Sequence, residues 1–434
     1  MKRCLAIILF LPFLSCATVS HENLQKPGSL TIADISDGLP REGLWREALA
    51  LADMNGDGFL DIVAPPPRKG AGRPGPFIFL WNPAQMKWVE GNYTFKTLEN
   101  TTYAYGGIAV GDLTRSGHPD IVLAVHAGTI IILEHNGNGG FVERPFPGEA
   151  SIEPADDAAK PATGPIEVHI PAKPSFPAKD VFHSRAVEVA DINGDGWPDI
   201  IAFSEASFST SYKPRGILVG MNRGGKEWDV RILAGSPGMY GDSMAIGDLR
   251  GEGRKDILVA PFTLIKEYKK PVWFGDGSGK FSAYEGDLLV NDTATFVRAG
   301  DLDGDGKDEV IFKRSGVGAS GTLRLSAFKW TGEGFADISS GLEKVVEPIA
   351  FDLADVDGDG KKELIVLSEG GLGIYKYADK VWAERASYRL SQPDTVGASD
   401  LRAGRNRDGS VFIVYNLGRT DPALNHGIKA FVVK

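Results

Sequence analysis

Four short segments place oxygen-bearing side chains at one fixed spacing: DMNGDGFLD from Asp53 to Asp61, DINGDGWPD from Asp191 to Asp199, DLDGDGKDE from Asp301 to Glu309, and DVDGDGKKE from Asp355 to Glu363. Counted from the first aspartate, positions 1, 3, 5 and 9 are carboxylates or amides and position 6 is glycine. That is the donor set a hard cation such as calcium requires. Glycine suits position 6 because a chain wrapping its side chains around one ion must turn sharply, often into positive φ.

The EF-hand shares the first half of this pattern but needs a bidentate glutamate at position 12 and helices on both sides. Position 12 is Ala64, Ala202, Phe312 and Val366, so the EF-hand is excluded at every copy. The residues after the loops, DIVAP, DIIAF, EVIFK and ELIVL, read as strands. Metal-free acidic turns are the alternative reading, and four separate matches argue against it.

The elements that hold these loops form a repeat. The loops begin at 53, 191, 301 and 355, and weaker copies fill the gaps: DLTRSGHPD opens at Asp112 and DLRGEGRKD at Asp248, with an eroded copy around Asp400. Thr114 and Ser116 replace carboxylates in the first weak copy. In the second, Arg250 stands at position 3, where a guanidinium can neutralise the carboxylates in place of a metal. Seven units therefore start near residues 45, 104, 183, 242, 294, 347 and 395.

Each unit reads as four strands, clearest in RAVEVADI, DIIAFSE, GILVGMN and WDVRIL. A four-stranded antiparallel unit repeated radially predicts an all-β, seven-bladed β-propeller over 28–434. The last unit supplies three strands only. IADISDGL (Ile32–Leu39) nearly repeats FADISSGL (Phe335–Leu342) at the end of unit five, so the N-terminal segment is expected to complete the last blade.

The DxDxDGxxD/E loop after a strand, followed by an apolar strand and a glycine-rich turn, resembles FG-GAP or VCBS repeats, the units of the integrin α-chain N-terminal propeller. The resemblance implies that the loop joins strands one and two and binds calcium. Carried over residue by residue, the ligands are Asp53, Asn55, Asp57 and Asp61; Asp191, Asn193, Asp195 and Asp199; Asp301, Asp303, Asp305 and Glu309; and Asp355, Asp357, Asp359 and Glu363. Phe59, Trp197, Lys307 and Lys361 would add backbone carbonyls at position 7.

Lys2 and Arg3 precede an apolar run from Leu5 to Leu14, too short for a membrane helix, which reads as an export signal over 1–16 with a linker at 17–27. FLSC ending at Cys16 resembles a bacterial lipobox, with Cys16 the lipidated residue of an outer-membrane or cell-surface lipoprotein. Ser15 and Ala17 fit ordinary cleavage instead, which would leave a periplasmic or secreted chain. Cys4 and Cys16 are the only cysteines, so a mature chain forms no internal disulfide and takes its stability from packing and metal. A net charge of −10 argues against a nucleic-acid partner.

In a propeller the loops joining strands two to three lie opposite those joining one to two. Here they are long and variable: 65–76, 204–216, 260–271, 313–321 and 416–427. With the short connections of units two and six they carry eleven basic residues against four acidic ones. Arg68, Arg73, Tyr212, Lys213, Arg215, Tyr268, Lys269, Lys270, Arg419 and His426 are therefore candidates for binding an acidic glycan, set against the simpler reading of solvated loop tips. A proline-rich insertion near 144–182 is either a binding element or a linker.

No zinc, nucleophile-elbow or phosphate-loop motif appears. The sequence points to an exported, non-enzymatic, calcium-binding module for a glycan or a cell-surface protein. Two alternatives stand beside it: a polysaccharide lyase using His426, Tyr212 or Tyr268 as acid or base, and a structural subunit of an envelope assembly.

Overall fold

The second strand of each repeat is a nearly unbroken apolar run because both of its faces are covered. The computed structural model describes residues 30–46, 48–67, 76–97, 106–125, 129–144, 146, 151–152, 182–205, 214–263, 265–289, 292–316, 323–418 and 426–434. In it Asp61–Ala64, Asp120–Val125 and Asp199–Ser204 are buried at every position. Successive side chains point to opposite sides, so Ile62 packs toward the last blade and Val63 toward the second. Val310 and Ile311 divide in the same way between the fourth and sixth blades. Two-sided burial removes the alternation of polar and apolar residues that marks a half-exposed strand.

The described strands form seven sheets; those of blades 1, 4, 5 and 6 follow chain order from centre to rim, while blades 2, 3 and 7 each end on a strand from earlier in the chain. Blades 1 to 7 begin with Ala50–Ala52, Gly106–Gly111, Ser184–Ala190, Met244–Gly247, Asp292–Gly300, Pro348–Ala354 and Ala398–Arg405. These first strands surround the ring centre. Seven hydrophobic clusters fill the seams between consecutive blades, one per seam. The seam that closes the circle packs Phe412, Val414 and Ile428 of blade 7 against Ile62, Phe79 and Trp81 of blade 1.

Closure follows from the duplicated segment. Ile32–Asp34 pairs antiparallel with Gly427–Val433, with Ile32 opposite Val433, and supplies the outer strand of blade 7. The two copies make the same bonds. Trp88 Nε1 donates to the Ile35 carbonyl and Trp382 Nε1 to the Ile338 carbonyl, both at 2.9 Å. The Trp88 amide donates to Asp37 and the Trp382 amide to Ser340, both at 2.8 Å. Each outer strand therefore latches its blade to the next.

Blades 2 and 3 depart from the expected four strands. Thr94–Lys96 adds a fifth, parallel strand outside Gly140–Arg144. Ser151–Ile152, inside the proline-rich insertion, does the same outside Glu227–Ile232. Phe146, near the start of that insertion, is buried against Trp228 with ring centroids 5.5 Å apart. The insertion thus begins as a rim strap on blade 3, and most of its remaining length lies outside the described residues. Among the described residues no helix is long and apolar enough to cross a membrane.

Candidate metal centres and ligand face

Each acidic loop is organised by its own aspartates. Asp53 Oδ1 accepts the Gly56 and Asp57 amides at 2.7 and 3.1 Å, and its Oδ2 accepts the Gly58 amide at 2.8 Å. Asn55 Oδ1 accepts the Asp57 amide, and Asp57 Oδ1 accepts that of Phe59. Both loop glycines have positive φ, 76° and 87°, so position 4 as well as position 6 needs glycine. Blade 3 repeats the arrangement, with Asp191 bonding Gly194 and Gly196, and Asp195 bonding Trp197. The same bonds recur from Asp301 to Gly304 and Gly306, ahead of Lys307, and from Asp355 to Gly358 and Gly360, ahead of Lys361.

Position 9 is the buried floor. Asp61, Asp199 and Glu309 have no exposed surface and Glu363 has 1%. Burial raises the Asp61 carboxyl to about 7, although amide bonds from Trp81 and Met54 pull it down. Asp199 is raised to about 6 for the same reason, against bonds from Asn222 and Ile192. A buried acid aimed into a loop of oxygens fits a cation bound there, and oxygens of Asp301, Asp303 and Glu309 lie within 4.8 Å of one another, as do those of Asp355, Asp357 and Asp359. The all-oxygen donor set suits calcium in kind.

The loops differ in what already stands among those oxygens. In blade 5, Lys329 Nζ contacts Asp303 and lies 2.9 Å from Asp305 and 3.1 Å from Glu309. In blade 6, Lys376 Nζ lies 2.6, 2.7 and 2.8 Å from Asp357, Asp359 and Glu363. Burial lowers both ammonium groups, but the carboxylates outweigh it and hold them above the usual lysine range. In blade 4, Arg250 Nη2 reaches Asp256 Oδ1 at 3.0 Å, the neutralising role its sequence position suggests. Nothing in the loop sequences announces Lys329 or Lys376, which come from the third strands.

No family model matches the chain. A stretch of 111 residues, 24% of the chain, is 35% identical to integrin alpha-7 of Homo sapiens, and 110 residues are 37% identical to the Rattus norvegicus protein. The match spans 8% of each integrin's length. Seven radial blades, acidic loops between first and second strands, and this local identity coincide. The fold is that of a seven-bladed β-propeller with a local resemblance to an integrin α chain. Among solved structures, an Agrocybe aegerita lectin recognising non-reducing terminal N-acetylglucosamine is 18% identical with a TM-score of 0.44, over 90% of this chain and 92% of that one. BBS1N in complex with ARL6DN is 12% identical with a TM-score of 0.47, over 92% and 95%.

On the opposite face of this propeller, several predicted ligand residues are already engaged. Lys269 Nζ donates to the Leu289 carbonyl at 3.1 Å, and Lys270 Nζ pairs with Glu285 at 2.8 Å. Tyr268 is half-buried, its ring against Gly238. Lys313 and Arg314 extend the second strand of blade 5, not a loop tip: Lys313 bonds the Ile349 carbonyl and Arg314 bonds Asp292. Burial lowers Lys313 to about 8, against the pull of Asp400. The Arg215 amide donates to Ser204 Oγ at 2.9 Å, and half-buried His426 precedes the third strand of blade 7. Tyr268 lies on the connection between the second and third strands of blade 4, and His426 on the corresponding connection of blade 7. Arg68, Arg73, Tyr212, Lys213, Arg419 and Cys16 lie outside the described residues, as does the 1–27 segment.

The ring centre holds a charge network that the sequence does not reveal. A cavity of about 160 Å³ is lined by Arg185, Glu188, Asp242, Arg298, Asp400 and Arg402, among others. Arg298 Nε lies 3.0 Å from Asp352 and its Nη2 3.1 Å from Asp400, joining blades 5, 6 and 7. Arg402 Nε also reaches Asp400 at 2.9 Å, and the Leu49 amide, leading into blade 1, donates to the same carboxylate at 2.8 Å. Burial raises Glu188, while Arg402 and Arg298 pull it back. The only sequence signal was a set of charged residues on otherwise apolar first strands.

Proposed function

We propose that this propeller is a non-enzymatic binding module working outside the cytoplasm, stabilised by calcium in its acidic loops and presenting the opposite face to a glycan or protein partner. Export by the 1–16 signal, with Cys16 as lipid anchor, belongs to the same reading. The observation that carries it is the division between the two faces. The acidic-loop face is braced blade to blade: the Asp308 amide donates to the Asp248 carbonyl at 2.9 Å, Lys362 to Asp301 at 2.8 Å and Arg407 to Gly58 at 3.0 Å. The other face gathers the long connections, and loops on a rigid scaffold are where binding sites form.

That face reads less as a field of positive charge than as a mixed surface. On the 260–271 connection Phe262 and Ile265 are 44% and 40% exposed, beside the exposed Lys266. A glycan array and a panel of purified surface proteins test the reading, using the chain and its Phe262→Ser/Ile265→Ser variant. Binding by the parent and its loss in the variant is the expected result, with the melting temperature little changed because exposed substitutions shift stability by about 0.5 kcal/mol or less. Conversion of a bound glycan to products would replace this reading with an enzymatic one. A melting curve indifferent to chelator, with no calcium in the purified chain, would remove the metal.

A further inference from the structure

We propose that in blades 5 and 6 the cation of the acidic loop is the chain's own lysine, Lys329 and Lys376, and that calcium is confined to the loops of blades 1 and 3. The second half rests on the calcium reading above; the first does not. Each lysine donates hydrogen bonds within its loop, Lys329 to Asp303 and Lys376 to Asp357 and Asp359, and forms an ion pair with the buried glutamate at position 9. Lys329 contacts three carboxylates, at positions 3, 5 and 9 of its loop, and Lys376 contacts the same three positions of its own. Those are oxygens a metal in either loop would need, and ammonium and calcium cannot share them.

Three substitutions inside the repeat occur together, which makes the lysines part of the loop design. In blades 1 to 4 position 9 is aspartate, and both its oxygens accept backbone amides: Asp61 from Met54 and Trp81, Asp120 from Leu113 and His135, Asp199 from Ile192 and Asn222, Asp256 from Leu249 and Gly275. In blades 5 and 6 it is glutamate. One oxygen keeps the loop amide, of Leu302 or Val356, and the longer side chain carries the other to the lysine.

The facing residue of the third strand changes with it. Register sets Val310 opposite Phe328 and Leu364 opposite Tyr375, so Glu309 and Glu363 face Lys329 and Lys376. By the same register the aspartate blades place Leu80, Glu134, Met221 and Phe274 there. Position 3 is the third change. It is asparagine in blades 1 and 3 but aspartate, Asp303 and Asp357, where the lysine is present. The added carboxylate is the charge each lysine answers.

The unmodified chain tests this directly by reductive methylation of its lysines, followed by peptide mass spectrometry, in chelator and in millimolar calcium. Lys329 and Lys376 are expected to be methylated slowly, at the same rate in both conditions, while exposed Lys266 reacts fast. Faster methylation of Lys329 and Lys376 in calcium would show the metal displacing them and overturn the proposal. Calcium content of variants gives a second readout. Asp57→Ala and Asp195→Ala should each lose one bound calcium, and Asp305→Ala and Asp359→Ala none. Loss of calcium from either of the latter pair overturns the assignment. If no variant and no parent binds calcium, the calcium reading fails, while unchanged slow methylation still upholds the lysine assignment.

Discussion

Single side chains in this propeller hold charge where water does not reach, and their titration follows from that. Asp61 keeps its proton to about 7 when folded because burial outweighs its amide bonds, whereas in an unfolded chain it ionises near 4. The folded form binds the extra proton, so this group's contribution to stability is present at acid pH and is lost as pH rises from about 4 to about 7. Calcium favours the ionised carboxylate and opposes the loss. In chelator the melting temperature should therefore fall between about pH 5 and pH 7.5, and calcium should flatten the curve; Asp61→Asn should weaken the pH dependence in chelator. A chelated curve rising over that range would refute the burial argument. Arg298 makes the complementary case at the ring centre. Arg298→Ala leaves Asp400 and Asp352 without this partner and should cost about 3–5 kcal/mol, read as a lower urea midpoint. Lysine should restore little, since one ammonium cannot reproduce the fork that spans both carboxylates.

At the scale of elements, the recurring device is the outer strand that ends in a tight turn against the next blade. Gly38 and Gly341 occupy equivalent places, with φ of 87° and 99°, and a Cβ on either would strike the backbone carbonyl of Trp88 or Trp382. Gly38→Ala and Gly341→Ala should each cost more than the roughly 1 kcal/mol of an unfavourable φ alone, because the obstacle is backbone and cannot rotate away. Chemical denaturation measures both, and near-equal losses are expected from the shared geometry. Wild-type stability in either variant would mean that the latch is not under constraint. The repeat of IADISDGL in FADISSGL is legible in the residues alone, because a short segment that binds its neighbour through its own backbone carries its partners' geometry within its sequence. The fifth strands of blades 2 and 3 are not legible there. Thr94–Lys96 and Ser151–Ile152 join their sheets by parallel edge pairing, which leaves no hydrophobic period to read.

For the whole molecule the decisive fact is that the ring closes on itself. Seven seams carry seven cores, and the seventh exists only because residues near both ends of the described chain share blade 7. Deleting residues 30–40 should expose the edge of Gly427–Val433 and uncover Trp88, giving aggregation on size-exclusion chromatography. A monomeric deletion that melts with the parent would show that the ring does not depend on its latch.

What the sequence determined by itself was periodic: seven blades, the placement of acidic loops between first and second strands, and the closing strand, all of which repeat locally and so survive without knowledge of neighbours. Pairings between distant side chains were decided only by the tertiary structure. Lys329 meets Asp303 across 26 residues, and Arg298 meets Asp400 across 102, because sheet register and ring curvature bring those positions together. Lys313 and Arg314 show the same limit from the other side. A basic pair beside glycines reads as a loop tip, yet the strand runs on to Gly316, and alternation along it turns one side chain toward the ring and the other to Asp292. Side-chain direction at a strand end depends on where the strand stops, and the neighbouring blades determine that.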